Sequence, residues 1–232
     1  MEPAIGQANE LRLYHELLLL SLDDKTGTPE SRFYPLAISA AVIAELVIEK
    51  RIKIGAGING KVTVSDETPT GASIMEKYLR RIARSKKAKP LSHWLQSEIH
   101  PDDLVGLVAK ELCAKGILKR VEKTFLWVFP KSCFIENKPE PEAQVKSRLT
   151  KLLFEDEPNN DERTFVLAAL ANAVGLLEPN FGVIKVKRAR KKIDDKLTGS
   201  ALGKDVKTLI KNIEMTEQTL LLTSIVLISA AS

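Results

Sequence analysis

Apolar residues along this chain twice switch from helical spacing to strict alternation. In the first copy Ile43, Ala44, Val47 and Ile48 keep the i, i+3, i+4 spacing of a helix. The chain then passes Lys50 to Ile52 and Ile54, turns through glycines, and alternates again as Lys61-Val-Thr-Val-Ser65. In the second copy Val108, Ala109, Leu112 and Cys113 lead past Lys115 to Ile117 and Leu118, and after Glu122-Lys123 to Phe125-Leu-Trp-Val-Phe129. A change of period from 3.6 to 2 predicts a helix followed by a β-hairpin, so each copy reads as a helix carrying a small wing.

The rest of the pattern is helical. Leu11 to Leu22 predicts a helix that Asp23-Asp-Lys-Thr-Gly-Thr-Pro29 terminates. Pro35 suits the first turn of a helix running to Lys50, and the first wing spans Arg51 to Ser65. After Thr68-Pro-Thr-Gly71 a helix carries Ile74, Met75, Tyr78, Leu79 and Ile82; Trp94 sits in a short helix, and Pro101-Asp102-Asp103 starts another. A stretch rich in proline and glutamate, Glu136 to Glu142, reads as a hinge. Beyond it helices are predicted over 143–154, 162–177, 185–192 and from Lys204 to the end. Thr219 to Ala231 is nearly all apolar but shorter than the roughly 20 residues a membrane-spanning helix needs, so it reads as a core helix in the middle of the assembly. The fold class is therefore mainly α: one helical domain over 11–232 around buried central helices, with two small β-hairpins and a flexible segment at 1–10.

Composition adds bounds. The 232 residues allow one large or two small domains, and aromatics at 5% against 44% hydrophobic content favour helices packed on helices. A net charge of +5 with a pI near 9.1 leans mildly towards polyanionic partners. The two cysteines, Cys113 and Cys133, have no histidines at metal-ligand spacing. The short run Leu17 to Leu20 follows Arg12, His15 and Glu16 and precedes Asp23-Asp24, which is unlike a signal peptide. A reducing cytosol is the expected compartment.

Candidate chemistry is sparse, and no catalytic constellation, cofactor motif or metal site emerges. Gly55-Ala-Gly57-Ile-Asn-Gly60 fits G-x-G-x-x-G, but a strand follows it instead of the helix that cradles a pyrophosphate, so the glycines read as a wing turn. His15, His93 and His100 lack the convergent ligands zinc or acid–base work requires. Asp102 or Asp103 reads as a helix cap. Two basic clusters stand out: Arg80, Arg81, Arg84, Lys86, Lys87 and Lys89, and Lys185 to Lys192. The first is either a solvated helix end or a surface for anions, where each cation beside an acidic bilayer is worth about 1 kcal/mol. In the second hairpin Phe125, Trp127 and Phe129 share one face, with Leu126 and Val128 on the other. Such a strand is either buried or made to meet a membrane or a second copy.

The order of these blocks resembles a known family. Leu11-Arg-Leu-Tyr-His-Glu-Leu-Leu-Leu-Leu-Ser-Leu-Asp-Asp-Lys-Thr-Gly27, Ala44-Glu-Leu-Val-Ile-Glu-Lys-Arg-Ile-Lys-Ile54 and Thr68-Pro-Thr-Gly71 are similar to the opening blocks of the Golgi peripheral-membrane phosphoproteins. Leu112-Cys-Ala-Lys-Gly-Ile-Leu118 and Asp161-Glu-Arg-Thr-Phe-Val-Leu-Ala-Ala-Leu-Ala-Asn-Ala-Val-Gly-Leu-Leu177 continue the series, and the short N-terminus looks closer to the bacterial branch. The resemblance implies a helical, non-enzymatic protein sitting peripherally on membranes. In the Golgi members it implies recognition of phosphatidylinositol 4-phosphate, a trafficking-adaptor role towards the tails of client proteins, and contacts between copies through the hairpin. The eukaryotic headgroup pocket has a tryptophan, which falls here near Arg32 or Phe33. It also has a helix arginine, which aligns with Ser39, and an arginine pair, which aligns with Asp102 and Val105. These departures remove the bidentate donors that a phosphomonoester favours.

The expectation is a protein that settles on anionic phospholipid headgroups, peripherally membrane-associated from the cytoplasmic side. Arg32, Phe33, Tyr34 and Ser39 are the candidate lipid site, with Arg80, Arg81 and Arg84 beside it. Phe125, Trp127 and Phe129 are the candidate membrane or oligomer hairpin. The alternative is a winged-helix nucleic-acid binder. Against it, the helices ahead of the wings are aliphatic, whereas base readout uses Arg, Asn or Gln.

Overall fold

The computed structural model describes residues 11–23, 26–57, 60–96, 101–125, 129–155, 161–198 and 201–230, with side chains described except at 101–102, 123–125, 129–132, 198, 201 and 220–230. Ten helices and two small antiparallel sheets are present among the described residues, a mainly α architecture.

Two helices form the middle. Helix α1 (Leu13–Ser21) is buried at every residue, and helix α2 (Tyr34–Ile48) is buried without interruption from Leu36 to Leu46. Pro35 occupies the first turn of α2, where its missing N–H costs nothing. Ala37, Ala40, Ala41 and Ala44 keep that helix thin, so neighbours approach it from several sides. Helices α3 (Ser73–Ala83), α4 (Leu91–Gln96), α5 (Pro101–Ala114), α7 (Glu162–Ala173) and α10 (Ala201–Ala230) all pack on α2. The central position belongs to α2, while the core helix expected over 219–231 falls almost wholly outside the described side chains. Helix α10 reaches the core through Val206, Leu209, Ile213 and Thr216, and the side chains of its last apolar stretch lie outside the described residues.

Both wings form. Strands β1 (Ile52–Ile54) and β2 (Lys61–Val64) pair with Ile52 opposite Val64, which buries Ile52 and Val62 and exposes Lys53 and Thr63. The glycine turn belongs to this hairpin: Gly55 N–H donates to the Lys61 carbonyl at 2.9 Å. A Cβ on Gly60 would lie 2.1 Å from the Gly55 carbonyl oxygen, so only glycine fits there. A two-residue strand β3 (Lys89–Pro90), not expected from the pattern, completes this sheet at an edge that tolerates proline. Strands β4 (Leu118–Phe125) and β5 (Phe129–Glu136) form the longer hairpin, in register from Leu118–Glu136 to Phe125–Phe129.

The two helix-to-wing junctions share one geometry. After α2 the Arg51 N–H reaches back to the Leu46 carbonyl at 2.8 Å; after α5 the Ile117 N–H reaches the Leu112 carbonyl at 3.0 Å. Each is a Schellman-type ending, which needs one left-handed residue. Gly116 supplies it at φ +69°, but in the first copy the exposed Lys50 does so at φ +57°. Replacing Lys50 by glycine is therefore expected to stabilise the protein by about 0.5–1 kcal/mol. A rise of a few degrees in a thermal melt would register this, and an unchanged or lower midpoint would contradict it.

Past the second hairpin the predicted hinge is not free. Asn137 and Lys138 N–H groups both donate to the Ile117 carbonyl, at 2.8 and 3.2 Å, and helix α6 (Glu140–Phe154) begins at once. The predicted 162–177 helix is split: α7 ends at Ala173, Gly175 turns with φ +72°, and the short helix α8 (Leu177–Phe181) follows. Helix α9 (Val183–Thr198) contains the basic stretch from Lys185 to Lys192; it buries Val186, Ala189 and Ile193 and exposes the cations.

Candidate functional site

The residues entering α2 build a groove of about 380 Å³, lined by Arg32, Phe33, Pro35 and Leu36 on one side and by Leu95, Gln96, Thr216 and Thr219 on the other. The Arg32 guanidinium stands 4.9 Å from the Phe33 ring centroid, a cation–π stack at the lip of an apolar slot. Gln96 closes the far side by donating to the Thr216 hydroxyl at 3.2 Å, which ties α4 to α10. The groove is thus an apolar trough with one exposed cation at its entrance and few polar groups inside.

Not every candidate residue joins it. Tyr34 packs partly against the core. Ser39 is 4% exposed; its hydroxyl donates to the Pro35 carbonyl at 3.2 Å and lies towards Tyr78 of α3, so it faces α3 and not the groove. Val105 is buried on α5, and the side chain of Asp102 lies outside the described residues. The Ser39–Tyr78 contact sets the C-terminal half of α3 beside the first turns of α2. That half carries exposed Arg80 and Arg84 and half-buried Arg81. Arg80 is 4.0 Å from Glu76, a loose i,i+4 pair. The basic segment from Arg84 continues through β3 directly into α4, whose last residues line the groove. The side chains of Phe125 and Phe129, and Trp127 altogether, lie outside the described residues.

Glu217 of α10 follows the groove-lining Thr216, and the pattern of the sequence did not single it out. Burial, reinforced by Glu214 and opposed by Arg32, pushes its carboxyl up to about 7, and its Oε1 has no hydrogen-bond partner. A carboxyl that holds its proton in the folded state but loses it near 4.5 when unfolded destabilises the fold as pH rises between those values. Stability is therefore expected to fall from pH 5 to pH 7.5. In Glu217→Gln that part of the fall should vanish, as read from urea midpoints at the two pH values; identical slopes in both proteins would refute it.

Histidine chemistry is structural where it is described. His15 is buried: its Nδ1 accepts from the Arg12 N–H at 3.1 Å, which leaves Nε2 to donate to Glu111 at 2.9 Å. His93 stacks edge-on against Trp94 at 5.0 Å. The nucleic-acid alternative meets a physical obstacle, because α2 has no open face between Leu36 and Leu46 to lay in a DNA groove. No helix among the described residues is long and apolar enough to cross a membrane.

The fold defines a class of mainly helical proteins with two β-wings, here with a cation-lipped apolar groove on the surface. The family model described as Golgi phosphoprotein 3 (GPP34) matches residues 13–213, and the chain belongs to that family. The match takes in α1 to α9 and the first part of α10, and so includes both wings and the Arg32–Gln96 side of the groove, while Thr216 and Thr219 lie beyond it.

Proposed function

We propose that this protein is a non-enzymatic peripheral membrane protein that binds anionic phospholipid, with Arg32 and Phe33 as the headgroup contact. The observation that carries this reading is the Arg32–Phe33 stack at the entrance of an apolar groove. A guanidinium pairs with a phosphate, an aromatic ring suits the interfacial layer, and the apolar slot accepts glycerol or acyl carbons. Arg80, Arg81 and Arg84, at the same end of α2, add long-range attraction to an acidic leaflet. Membership of the Golgi phosphoprotein 3 family supports a trafficking-adaptor role on such membranes. Ser39, Asp102 and Val105 supply no arginine, so the preference proposed is for negative charge in general over phosphatidylinositol 4-phosphate in particular.

Liposome flotation tests it. Wild-type protein is expected to float with vesicles of phosphatidylcholine plus phosphatidylserine, and with those containing phosphatidylinositol 4-phosphate, but not with phosphatidylcholine alone. Arg32→Glu should reduce the bound fraction at least tenfold, and raised salt should weaken what charge contributes. Equal and negligible flotation with all three compositions would overturn the proposal.

A further inference from the structure

A second cleft, of about 440 Å³, opens where the neck of the β4–β5 hairpin meets α6 and α1. Glu16, Lys115, Ile117, Lys138, Gln144 and Arg148 line it. It shares no residue with the groove at Arg32. Lys115, Lys138 and Arg148 thus line the cleft with Glu16 as the one carboxylate of its lining, while Asp161 and Glu111 lie behind it near Arg148 and Lys115.

The backbone holds these groups in place. Lys115 stands in the tight turn that ends α5, next to Gly116. Lys138 follows the hairpin, and the bonds from Asn137 and Lys138 to the Ile117 carbonyl clamp it across from Lys115. The Asn137 side-chain amide adds a bond to the Gly116 carbonyl at 2.8 Å. Arg148 arrives from α6 and pairs through Nη2 with Glu16 Oε1, while its Nη1 donates to the Thr164 hydroxyl at 3.2 Å and stands 3.9 Å from Asp161. Glu16 is only 5% exposed at its side chain, and its Oε2 has no hydrogen-bond partner.

An interhelical brace between Glu16 and Arg148 explains Oε1 but leaves Oε2 buried and unpaired, which is costly for a carboxylate. Burial raises the Glu16 carboxyl above the usual carboxylate range against the pull of Arg148. A donor brought to Oε2 would favour the ionised form. That donor has to be uncharged or weakly charged, because an ammonium there would meet Arg148.

We propose that this cleft binds a phosphate group that carries a hydroxylated substituent, with Lys115, Lys138 and Arg148 holding the phosphate and Glu16 Oε2 accepting from the hydroxyl. A free metabolite and a glycerol-bearing phospholipid headgroup both offer that chemistry.

The test is titration of the full chain with glycerol 3-phosphate, followed by calorimetry, beside inorganic phosphate and glycerol alone. Glycerol 3-phosphate is expected to saturate one site roughly tenfold more tightly than inorganic phosphate, with no binding of glycerol. Lys138→Glu, at an exposed position, should weaken it at least tenfold. Gln144→Trp, also exposed, should block it by filling the cleft while circular dichroism stays unchanged. Arg32→Glu should leave it intact, which separates this site from the phospholipid groove. Vesicles containing phosphatidylglycerol, offered to the Arg32→Glu protein so that the groove at Arg32 does not contribute, identify the source. Retention that glycerol 3-phosphate displaces and Lys138→Glu abolishes supports the headgroup. Soluble binding without such retention supports a free metabolite. No saturable binding of glycerol 3-phosphate, or full binding by both Lys138→Glu and Gln144→Trp, overturns the proposal.

Discussion

Replacing Glu45 by alanine is expected to destabilise the fold by about 3–5 kcal/mol, the range for removing one partner of a buried ion pair. Glu45 lies on α2 and is fully buried. Its carboxylate accepts the Leu13 N–H at 2.6 Å, and so caps the first turn of α1. It also takes both terminal nitrogens of Arg163, at 3.0 and 2.9 Å, a fork that fixes α7 against α2. Arg163 further donates to the Leu11 carbonyl at 3.2 Å, and Arg12 approaches Glu45 at 3.8 Å while pairing with Glu49. Alanine would leave the Leu13 N–H without its acceptor and the Arg163 guanidinium with only the Leu11 carbonyl. Arg12 keeps Glu49 and is less affected.

Urea unfolding followed by circular dichroism measures the loss. Glu45→Gln keeps one neutral acceptor and should fall between wild type and Glu45→Ala. The pair Glu45→Ala with Arg163→Ala should cost less than the sum of the two single changes, because the second removes the charge that the first exposed. Simple additivity, or a loss below about 1 kcal/mol for Glu45→Ala, would show that the three helices are held by apolar packing alone.

Gly27→Ala is expected to cost about 2–4 kcal/mol, from two sources that a control separates. Gly27 has φ +65°, where a side chain adds roughly 1–2 kcal/mol. In addition, a Cβ at this position would lie 2.4 Å from the Phe134 carbonyl oxygen and 3.0 Å from Ile135 Cγ2. The loop after α1 is docked on β5, and an alanine would lift it off. Asp23 shapes that loop by accepting from both the N–H and the hydroxyl of Thr26 at 2.7 Å. Gly71 is the control: its φ is +73°, with nothing within 4 Å of an added Cβ. Gly71→Ala should show the backbone cost alone, and the excess at Gly27 measures the docking of the loop on the hairpin. Equal shifts in melting temperature for the two variants would mean that β5 yields freely.

Gly27 also illustrates what the local pattern can and cannot report. Asp23 to Pro29 was legible as a helix terminator, because its residues act on the backbone next to them. That the same loop is pressed against a strand more than a hundred positions later left no mark in it. The wings were legible for the same local reason, since a switch of apolar period needs only neighbouring residues. The equivalence of Lys50 and Gly116 was not, because a left-handed lysine carries no signature of its own.

The groove shows the same division. Arg32 and Phe33 stood out as a cation beside an aromatic ring, and the structure keeps them together at a lip. Ser39, five positions beyond Tyr34, turned inward because α3 covers that side of α2. Thr216 and Thr219 entered the site from α10, and Gln96 from α4.

The order of residues by itself determined the mainly helical content, the two helix-to-hairpin units, the glycine wing turn and the family to which the chain belongs, all through short-range periodicity and turn chemistry. Only the tertiary structure decided which helix lies at the centre, how Glu45 serves α1 and α7 together, and which cations share a cleft with Glu16. Those outcomes depend on helix crossings between distant segments, and a crossing is set by the fit of whole faces, which no local window of sequence contains.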